Sequence, residues 1–543
     1  MEDDSKNQQV IGMRSLPKRQ VNITLGGVLL ALFLGSLDQT IVSAAMPRIV
    51  ADLGGFALYT WLTTVYLVTS TVMLPIVGKL TDMYGRKHFY TAGIIIFVIG
   101  SLLSGLSQSM LQIIIFRGFQ GIGGGIMMVN AFAVIGDLFP PAQRGKYQGL
   151  LSAVFGVSAI LGPALGGFIT DLLSWHWIFF INVPLGLLII ILFVLFFPSF
   201  RPDSIKHKID YPGIIFIIFA VIPLLIALSF GGTEYPWLSP PIIILFGLSL
   251  LSIVMLPWVE ARSKEPIIPM DIFRNPIVVV SIPIIFFTGV VMFGSIIFVP
   301  LYFQGVMGLS ASASGSFITP MTLAQVAGSF VSGQLLSRTG GHYRIQGMFG
   351  LGIMAVGVFL LSRLTPEVSY LFAIIGTIFT GFGLGMTFPL YTIAVQNAVP
   401  YNILGVATSM VPFFRFMGGA VGLAVFGSLV ANRFSTEFIS NLPDAVIKNI
   451  SPETVAAMTR NLQSLMTTTG APSQIEAIFN QFGEQGASLY TQTITVLQQA
   501  LGSSLTQVFF IGFIIIVVVF VINLFLKEVP LRKQHVLSET NDK

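Results

Sequence analysis

Long apolar stretches recur along this chain of 543 residues, and they constrain its fold more than any other feature. A helix that crosses a bilayer needs about 20 mostly apolar residues. Only 9% of the chain is charged and 54% is hydrophobic, whereas soluble domains carry about 25% charged residues. We therefore predict an all-α integral membrane protein with 14 transmembrane helices. The predicted spans are 22–46, 58–78, 89–107, 112–137, 147–170, 178–199, 212–230, 239–259, 277–300, 316–337, 345–362, 369–391, 404–431 and 505–526.

Several classes of chemistry are disfavoured by the residues that the chain lacks. It contains no cysteine, so disulfides, zinc–thiolate sites and thiol redox chemistry are excluded. No Walker loop is present, and the clustered glycines lie inside apolar spans rather than after a strand. We expect no metal, no cofactor, no nucleic acid partner and no enzymatic activity. The five histidines, which all fall in predicted loops or tails, are His88, His176, His207, His342 and His535.

Lysine and arginine residues are concentrated in alternate loops, on the side that carries both chain ends. Cytoplasmic loops of membrane proteins are enriched in these residues. The pattern therefore predicts a multi-pass protein of the cell membrane with both termini in the cytoplasm.

An internal repeat divides the chain into two similar parts. Gly121, Gly123 and Gly125 recur at an offset of 260 residues, as do Pro140 and Gly145. A second offset of 255 relates the glycines that flank the loop after span 2 to those after span 10. Repeated six-helix halves are typical of transporters, whose binding site lies between the halves near the bilayer midplane. The positions matched by these two offsets are Gly381, Gly383, Gly385, Pro400 and Gly405, and Gly333 and Gly340 for Gly78 and Gly85.

The spans and the repeat together predict two six-helix halves with two inserted central helices. Residues 432–503 are polar, and we expect them to form an extracytoplasmic insert with helix starts at Ser451 and Ser473. The predicted parts are a cytoplasmic tail 1–21, a first half 22–199, inserted helices and linkers 200–275, a second half 276–526 and a cytoplasmic tail 527–543.

Asp38 is the one acidic residue well inside a predicted span, and Arg117 lies at a similar depth in span 4. Ionisable residues at membrane depth are costly and usually functional. The two side chains could pair directly or through Gln39 or Gln120, and the pair could serve only to fix helix packing. The functional hypothesis is that Asp38 binds and releases a proton while Arg117 modulates its proton affinity. No acid lies inside spans 9–14, and Thr377 stands at the position that matches Arg117.

Two glycine-rich motifs accompany this pair. The first is the loop after span 2, where we assign a gating role to Gly78, Asp82, Gly85, Arg86 and Lys87. The second lies on span 5, where glycines allow close packing of another helix and a proline invites a bend. Its members are Gly156, Gly162, Pro163, Gly166 and Gly167.

These motifs resemble those of the major facilitator superfamily, in its fourteen-span drug:proton antiporter branch. The stretch 78–87 resembles the cytoplasmic loop motif of the superfamily, and 156–167 resembles the span 5 motif found in exporters. The stretches 37–47, 117–121 and 175–184 resemble the branch motifs of spans 1, 4 and 6, although His176 replaces the usual arginine. The resemblance implies the major facilitator fold, a bacterial multidrug efflux transporter and a role for Arg117 in proton transfer.

The expected function is proton-coupled export of lipophilic, cationic drugs. Abundant phenylalanine and methionine suit a large, adaptable pocket, and candidates for its polar lining are Gln39, Gln120, Asn130 and Arg415. A dedicated exporter or flippase of a lipid or amphipathic metabolite is the main alternative, and a channel or non-transporting sensor is a third. The expected partners are membrane lipid, a small lipophilic substrate and protons, with no obligate protein partner.

Overall fold

The computed structural model describes residues 16–54, 58, 60–198, 208–232, 234–309, 317–365, 369–443, 446, 479 and 486–531. Within these residues the chain folds into fourteen long helices. In chain order they are α1 (Lys18–Leu53), α2 (Trp61–Tyr84), α3 (Arg86–Gly105), α4 (Met110–Leu138), α5 (Pro141–Leu172), α6 (Trp177–Phe196, interrupted at Ile181), α7 (Tyr211–Phe230), α8 (Pro240–Glu260), α9 (Pro276–Gly305), α10 (Ile318–Thr339), α11 (Tyr343–Leu361), α12 (Tyr370–Ala398), α13 (Leu404–Asn441) and α14 (Gly486–Asn523).

Thirteen of the described helices are long and apolar enough to span a membrane, and α10 is the exception. Its small and polar residues are used for packing: Gly328 and Ser332 lie against α12, and Gly333 lies against α5. Helices with small residues at their interfaces approach closely without a large apolar surface. The predicted all-helical membrane fold is confirmed, with α10 as the predicted tenth span.

Most helices extend beyond the predicted spans, and the difference is largest before and after the predicted insert. Helix α13 continues to Asn441 and α14 begins at Gly486, so both ends of the segment 432–503 are helical. Ser451 and Ser473, the predicted helix starts, lie outside the described residues. The domain boundaries given above stay a prediction.

The residues that begin and end matching helices in the two halves are related by the same offsets as the sequence repeat. Ser109 and Ser369, 260 residues apart, precede α4 and α12, and each side chain accepts a hydrogen bond from the backbone N–H three residues later. Such capping satisfies donors that the first helical turn leaves free. Gly85 and Gly340 end α2 and α10 with φ values of 90° and 75°, a backbone region that favours glycine.

The repeated glycines pack the fourth helix of each half against its neighbours. A Cβ on Gly121 would lie 2.7 Å from the Tyr66 carbonyl oxygen of α2, and a Cβ on Gly123 would lie 2.6 Å from the Gly93 carbonyl oxygen of α3. In the second half, Gly381 meets α10 and Gly383 meets α11 in the same manner. These contacts have no room for a side chain, which explains why the glycines recur.

Both ends of the described chain lie at one end of the bundle, here called the termini end. Near the start of α1, the Gln20 side chain donates to the Phe196 carbonyl at the end of α6. The backbone N–H of Leu531 donates to the Gly340 carbonyl in the loop after α10.

The two halves contact each other near the termini end through two reciprocal glycine pairs. Gly78 of α2 faces Gly405 of α13, and Gly333 of α10 faces Gly145 of α5. The offsets of the repeat exchange one pair for the other, so the interface has a pseudo-twofold relation. The inserted helices α7 and α8 pack on each other, and α7 also contacts α2 and α13.

Candidate functional site

Asp38 lies at the centre of a buried polar cluster in the first half. Its side chain is inaccessible to solvent, and its two carboxylate oxygens accept three hydrogen bonds. Arg117 Nη1 donates to Oδ2 at 2.5 Å, while Gln120 Nε2 and Asn182 Nδ2 donate to Oδ1 at 2.9 and 2.7 Å. The predicted contact between Asp38 and Arg117 is therefore present, and Gln120 joins it. Their role in proton transfer stays a prediction.

The guanidinium of Arg117 is held from several sides. Its Nη1 also donates to Gln120 Oε1 at 2.8 Å, and its Cζ lies 4.3 Å from the ring centroid of Tyr66. Tyr66 in turn hydrogen-bonds the side chain of Gln39, the residue after Asp38. Arg117 Nε is buried and has no hydrogen-bond partner. The cation is thus oriented by the carboxylate, one amide and one aromatic face, with a spare donor.

Asn182 was missed by the sequence analysis as a site residue. It opens the second part of α6 after the interruption at Ile181. Its Nδ2 also donates to Ser101 Oγ at 2.9 Å, and Ser101 Oγ donates to the Phe179 carbonyl at 2.9 Å. These bonds fix α6 against α3 and aim the amide at Asp38. The sequence signal that could have identified it is a single amide side chain in a very apolar span, within the stretch 175–184.

The other cavity candidates lie at the edge of this cluster or away from it. Gln39 is exposed, and its side chain hydrogen-bonds Tyr66, which lies against Arg117. Asn130 is buried further along α4 and donates to the Ile126 carbonyl at 2.8 Å, with its Oδ1 unpartnered. Thirteen residues of helix separate it from Arg117, a rise of about 20 Å. Arg415 lies on α13 in the second half, with its Cζ 3.6 Å from the ring centroid of Phe388.

The loop motif joins the two halves through charged hydrogen bonds. Asp82 accepts from the backbone N–H groups of Gly405 and Val406, both at 3.0 Å, at the start of α13. A carboxylate is favoured there by the free N–H groups and by the helix dipole. Arg86 donates to Asp82 Oδ1 at 2.6 Å and to Asp137 Oδ2 at 2.9 Å. This network links the two halves near the termini end.

Two basic residues, Lys87 and Arg144, differ from what the sequence predicts for the loop motif and its surroundings. Lys87 donates to the Val194 carbonyl at 3.0 Å and takes no part in the contact between the halves. Arg144, which lies in the predicted loop before span 5, is fully buried at the start of α5. It donates to the carbonyls of Gly136 and Phe139 and, at 3.1 Å, to Gln396 Oε1 of α12. It therefore adds a second polar contact between the halves.

The span 5 motif packs against α1 close to Asp38. A Cβ on Gly162 would overlap Thr40 Oγ1, and a Cβ on Gly166 would lie 2.9 Å from the Ile41 carbonyl oxygen. Thr40 Oγ1 donates to the Ser158 carbonyl at 3.0 Å, one turn before Gly162. Pro163 lies inside α5, Gly156 faces Val326 of α10, and Gly167 faces open space. The motif therefore sets the distance between α5 and the helix that carries Asp38.

We predict that Gly162→Leu reduces export at least tenfold, because the new side chain would push α5 away from Thr40 and displace α1. Gly167→Leu is the matched control, since a Cβ there meets nothing within 4 Å. The measurement is dye efflux normalised to the amount of folded protein in the membrane. Equal efflux by the two variants would contradict the packing role of Gly162.

An apolar groove of about 480 Å³ lies between α11, α12 and α14, lined by residues that include Phe349, Phe379 and Phe520. No polar surface lines it. It is also remote in sequence and fold from Asp38, so we do not assign it to the transport site.

Comparisons with known proteins agree with this architecture. The sequence profile of the Major Facilitator Superfamily matches residues 28–423. The chain is 40% identical over 521 residues to "Multidrug transporter protein MdtP" of Bacillus subtilis (strain 168), covering 95% of this chain and 94% of that protein. It is 37% identical over 503 residues to "Multidrug resistance protein 3" of the same organism, covering 92% and 94%.

Solved structures extend the likeness to the fold. The human organic anion transporter MFSD10 (TETRAN) matches with a TM-score of 0.58 and 13% identity, over 92% of this chain and all of that one. At this identity the match shows the fold alone. The helix order, the repeat and the matched profile lead to one conclusion: the chain belongs to the major facilitator superfamily, a family of membrane transporters and not of enzymes.

Proposed function

We propose that this protein is a proton-coupled exporter of lipophilic drugs in the cell membrane of a bacterium, with both termini in the cytoplasm. The names of the two Bacillus subtilis relatives support drug efflux. The distribution of basic residues supports the orientation. The glycines of the span 5 motif pack α5 against α1, and the motif resembles one found in exporters. Both points support export.

The observation that carries proton coupling is the hydrogen bonding of Asp38. As a carboxylate it accepts from Arg117, Gln120 and Asn182. A protonated carboxyl group has one O–H donor and loses an acceptor site. If the proton sits on Oδ2, it competes with the guanidinium donor for that oxygen, so proton uptake and the contact with Arg117 oppose each other. A helix movement that separates the two residues would load Asp38, and their return would release the proton.

The arrangement of the halves supports alternating access. In the described conformation, the glycine pairs, the Asp82 network and the Arg144–Gln396 bond all lie near the termini end. With the termini in the cytoplasm, that end is closed to the cytoplasm. Asp38 is paired with Arg117 in this conformation, so this would be the proton-free state that takes up a proton from the outer side. In antiport, the proton would be released after the termini end opens to the cytoplasm.

Lipophilic cations are the proposed substrates. When Arg117 leaves Asp38, the exposed carboxylate can attract a cation within an aromatic and methionine-rich surrounding. Substrate and proton would then compete for one carboxylate, which is the simplest form of antiport. A dedicated lipid or metabolite exporter would use the same pair, so substrate panels separate these two functions.

The experiment is dye uptake into everted membrane vesicles. With an acidic interior, uptake of a lipophilic cationic dye should exceed that of vesicles without the protein by at least tenfold. A proton ionophore should remove the difference. Uptake that ignores the pH gradient would overturn proton coupling and favour the channel or sensor.

A further inference from the structure

Arg415 is a buried cation in the second half without a hydrogen-bonded counter-charge. The residue is 6% exposed, and the Cζ of its guanidinium lies over the ring of Phe388, 3.6 Å from the ring centroid. Its Nε and Nη2 atoms are buried and have no hydrogen-bond partner. Such a buried charge is costly, because neither hydrogen bonds nor an ion pair compensate for the hydration that it has lost.

A structural explanation for this arginine is weak. No backbone carbonyl accepts a hydrogen bond from Nε or Nη2 within the described residues. The Cα of Arg415 lies about 17 Å from the start of α13, so the side chain is too short to reach the aqueous phase at either end of the helix easily. The matching position in the first half is Phe155, so the repeated fold does not require a cation there.

The unsatisfied atoms have a specific geometry. Nε and Nη2 form one edge of the planar guanidinium, and this edge binds a carboxylate or sulfonate through two parallel hydrogen bonds. The ring of Phe388 lies against Cζ, and the Nε and Nη2 atoms are buried without a hydrogen-bond partner in the described conformation. Arg117 differs in that its Nη1 donates to Asp38 and Gln120, although its Nε also has no hydrogen-bond partner.

The position of Arg415 couples it to transport. Its backbone packs on Gly289 of α9, and α13 also contacts α2 and α4 of the first half. Helix α13 is therefore one of the helices whose surroundings change when the halves separate at the termini end. The Asp38–Arg117 pair is neutral as a unit, whereas Arg415 is a buried positive charge that no ion pair among the described residues compensates.

We propose that Arg415 is an anion-binding point of the transport pathway, so that transported compounds include lipophilic anions or zwitterions with a carboxylate or sulfonate group. The proposal rests on the proposed function as an exporter and adds a substrate class to it. The anion would bind the Nε–Nη2 edge when the termini end opens. Closure of that end would then remove the edge from the cytoplasm.

The test compares a lipophilic fluorescent carboxylate with a lipophilic cationic dye in proteoliposomes that carry a pH gradient. The variants are Arg415→Met, which replaces the guanidinium with an unbranched apolar side chain, and Arg415→Lys, which keeps the charge but loses the two-donor edge. Arg363→Met is the matched control, because Arg363 also lies over a ring, that of Phe359, but is exposed.

We expect Arg415→Met to lower carboxylate transport at least tenfold and to leave transport of the cation, with its pH dependence, intact. Arg415→Lys should retain part of the carboxylate transport, and Arg363→Met should match the wild type. The thermal midpoint of Arg415→Met should equal or exceed that of the wild type, since an unpaired buried charge is removed. The carboxylate should raise the midpoint of the wild type alone.

Three results would overturn the proposal. The first is carboxylate transport by Arg415→Met at the wild-type rate. The second is a wild-type protein that transports the cation but not the carboxylate. The third is a lower thermal midpoint for Arg415→Met than for the wild type, which would show that the arginine makes a structural contact. Failure of the proposed function looks different: neither dye would then respond to the pH gradient in the wild-type protein.

Discussion

Asp38→Asn abolishes uphill efflux, to less than about 1% of the wild-type rate, if coupling passes through this carboxylate. The substitution keeps the size of the side chain but replaces one acceptor oxygen with an NH₂ donor. That donor meets Arg117 at Oδ2, or Gln120 and Asn182 at Oδ1, where all three neighbours donate. It also removes the group that would carry the proton. The measurement is substrate accumulation against its gradient in everted vesicles.

Controls separate lost coupling from lost folding. Breaking a buried ion pair by removing one partner costs about 3–5 kcal/mol, so folded protein must be quantified by thermal unfolding. Asp171→Asn is the matched control, because Asp171 pairs with Arg48 at 2.9 Å but both side chains are 65% exposed. It should transport like the wild type.

The partner residue supplies a second comparison. Arg117→Lys should retain part of the uphill efflux, since one nitrogen, Nη1, contacts both Asp38 and Gln120. Arg117→Ala should retain none. Exchange of substrate between equal pools should survive in Asp38→Asn better than uphill efflux does. Uphill efflux by folded Asp38→Asn at the wild-type rate would show that another group carries the coupling ion.

Much of the fold follows from hydropathy and from the repeat, because a lipid environment leaves few alternatives to membrane-spanning helices. Helix α10 shows the limit of hydropathy alone: it is stabilised by close packing of Gly328 and Gly333, and its composition is too polar for a span by that criterion. Its apolar stretch placed it among the predicted spans, and the repeat also requires a helix there. The ends of α13 and α14 extend beyond the spans, since helices continue outside the hydrocarbon core when their polar residues face water.

The centre of the site was predictable because acids inside spans are so rare that Asp38 stood alone. Its amide neighbours were not equally predictable. Gln120 lies one turn from Arg117 on the same helix, whereas Asn182 reaches Asp38 only because α6 is interrupted at Ile181. Likewise, the sequence places Arg144 in a loop with other basic residues, and only the tertiary structure shows that it is buried beside α12. Contacts between distant helices leave no periodic signal in one sequence.

The last prediction concerns the contact between the halves. Gly145→Leu should abolish efflux by preventing closure of the termini end, because a Cβ on Gly145 would overlap the Gly333 carbonyl. Backbone on both sides cannot shift as a flexible side chain can, so α5 and α10 must separate. The substitution therefore disfavours the described conformation relative to the one with the termini end open. The first half itself keeps its packing around Asp38.

Crosslinking can measure that shift directly, since the chain has no cysteine of its own. The hydroxyl oxygens of Ser152 on α5 and Ser329 on α10 lie 2.7 Å apart across the same interface. In a Ser152→Cys/Ser329→Cys background, Gly145→Leu should slow disulfide formation at least fivefold. Gly26→Leu, where a Cβ meets nothing within 4 Å, should leave it unchanged. Unaltered crosslinking by Gly145→Leu would show that the halves close without this glycine contact, and the interface would then depend on Asp82 and Arg144 instead.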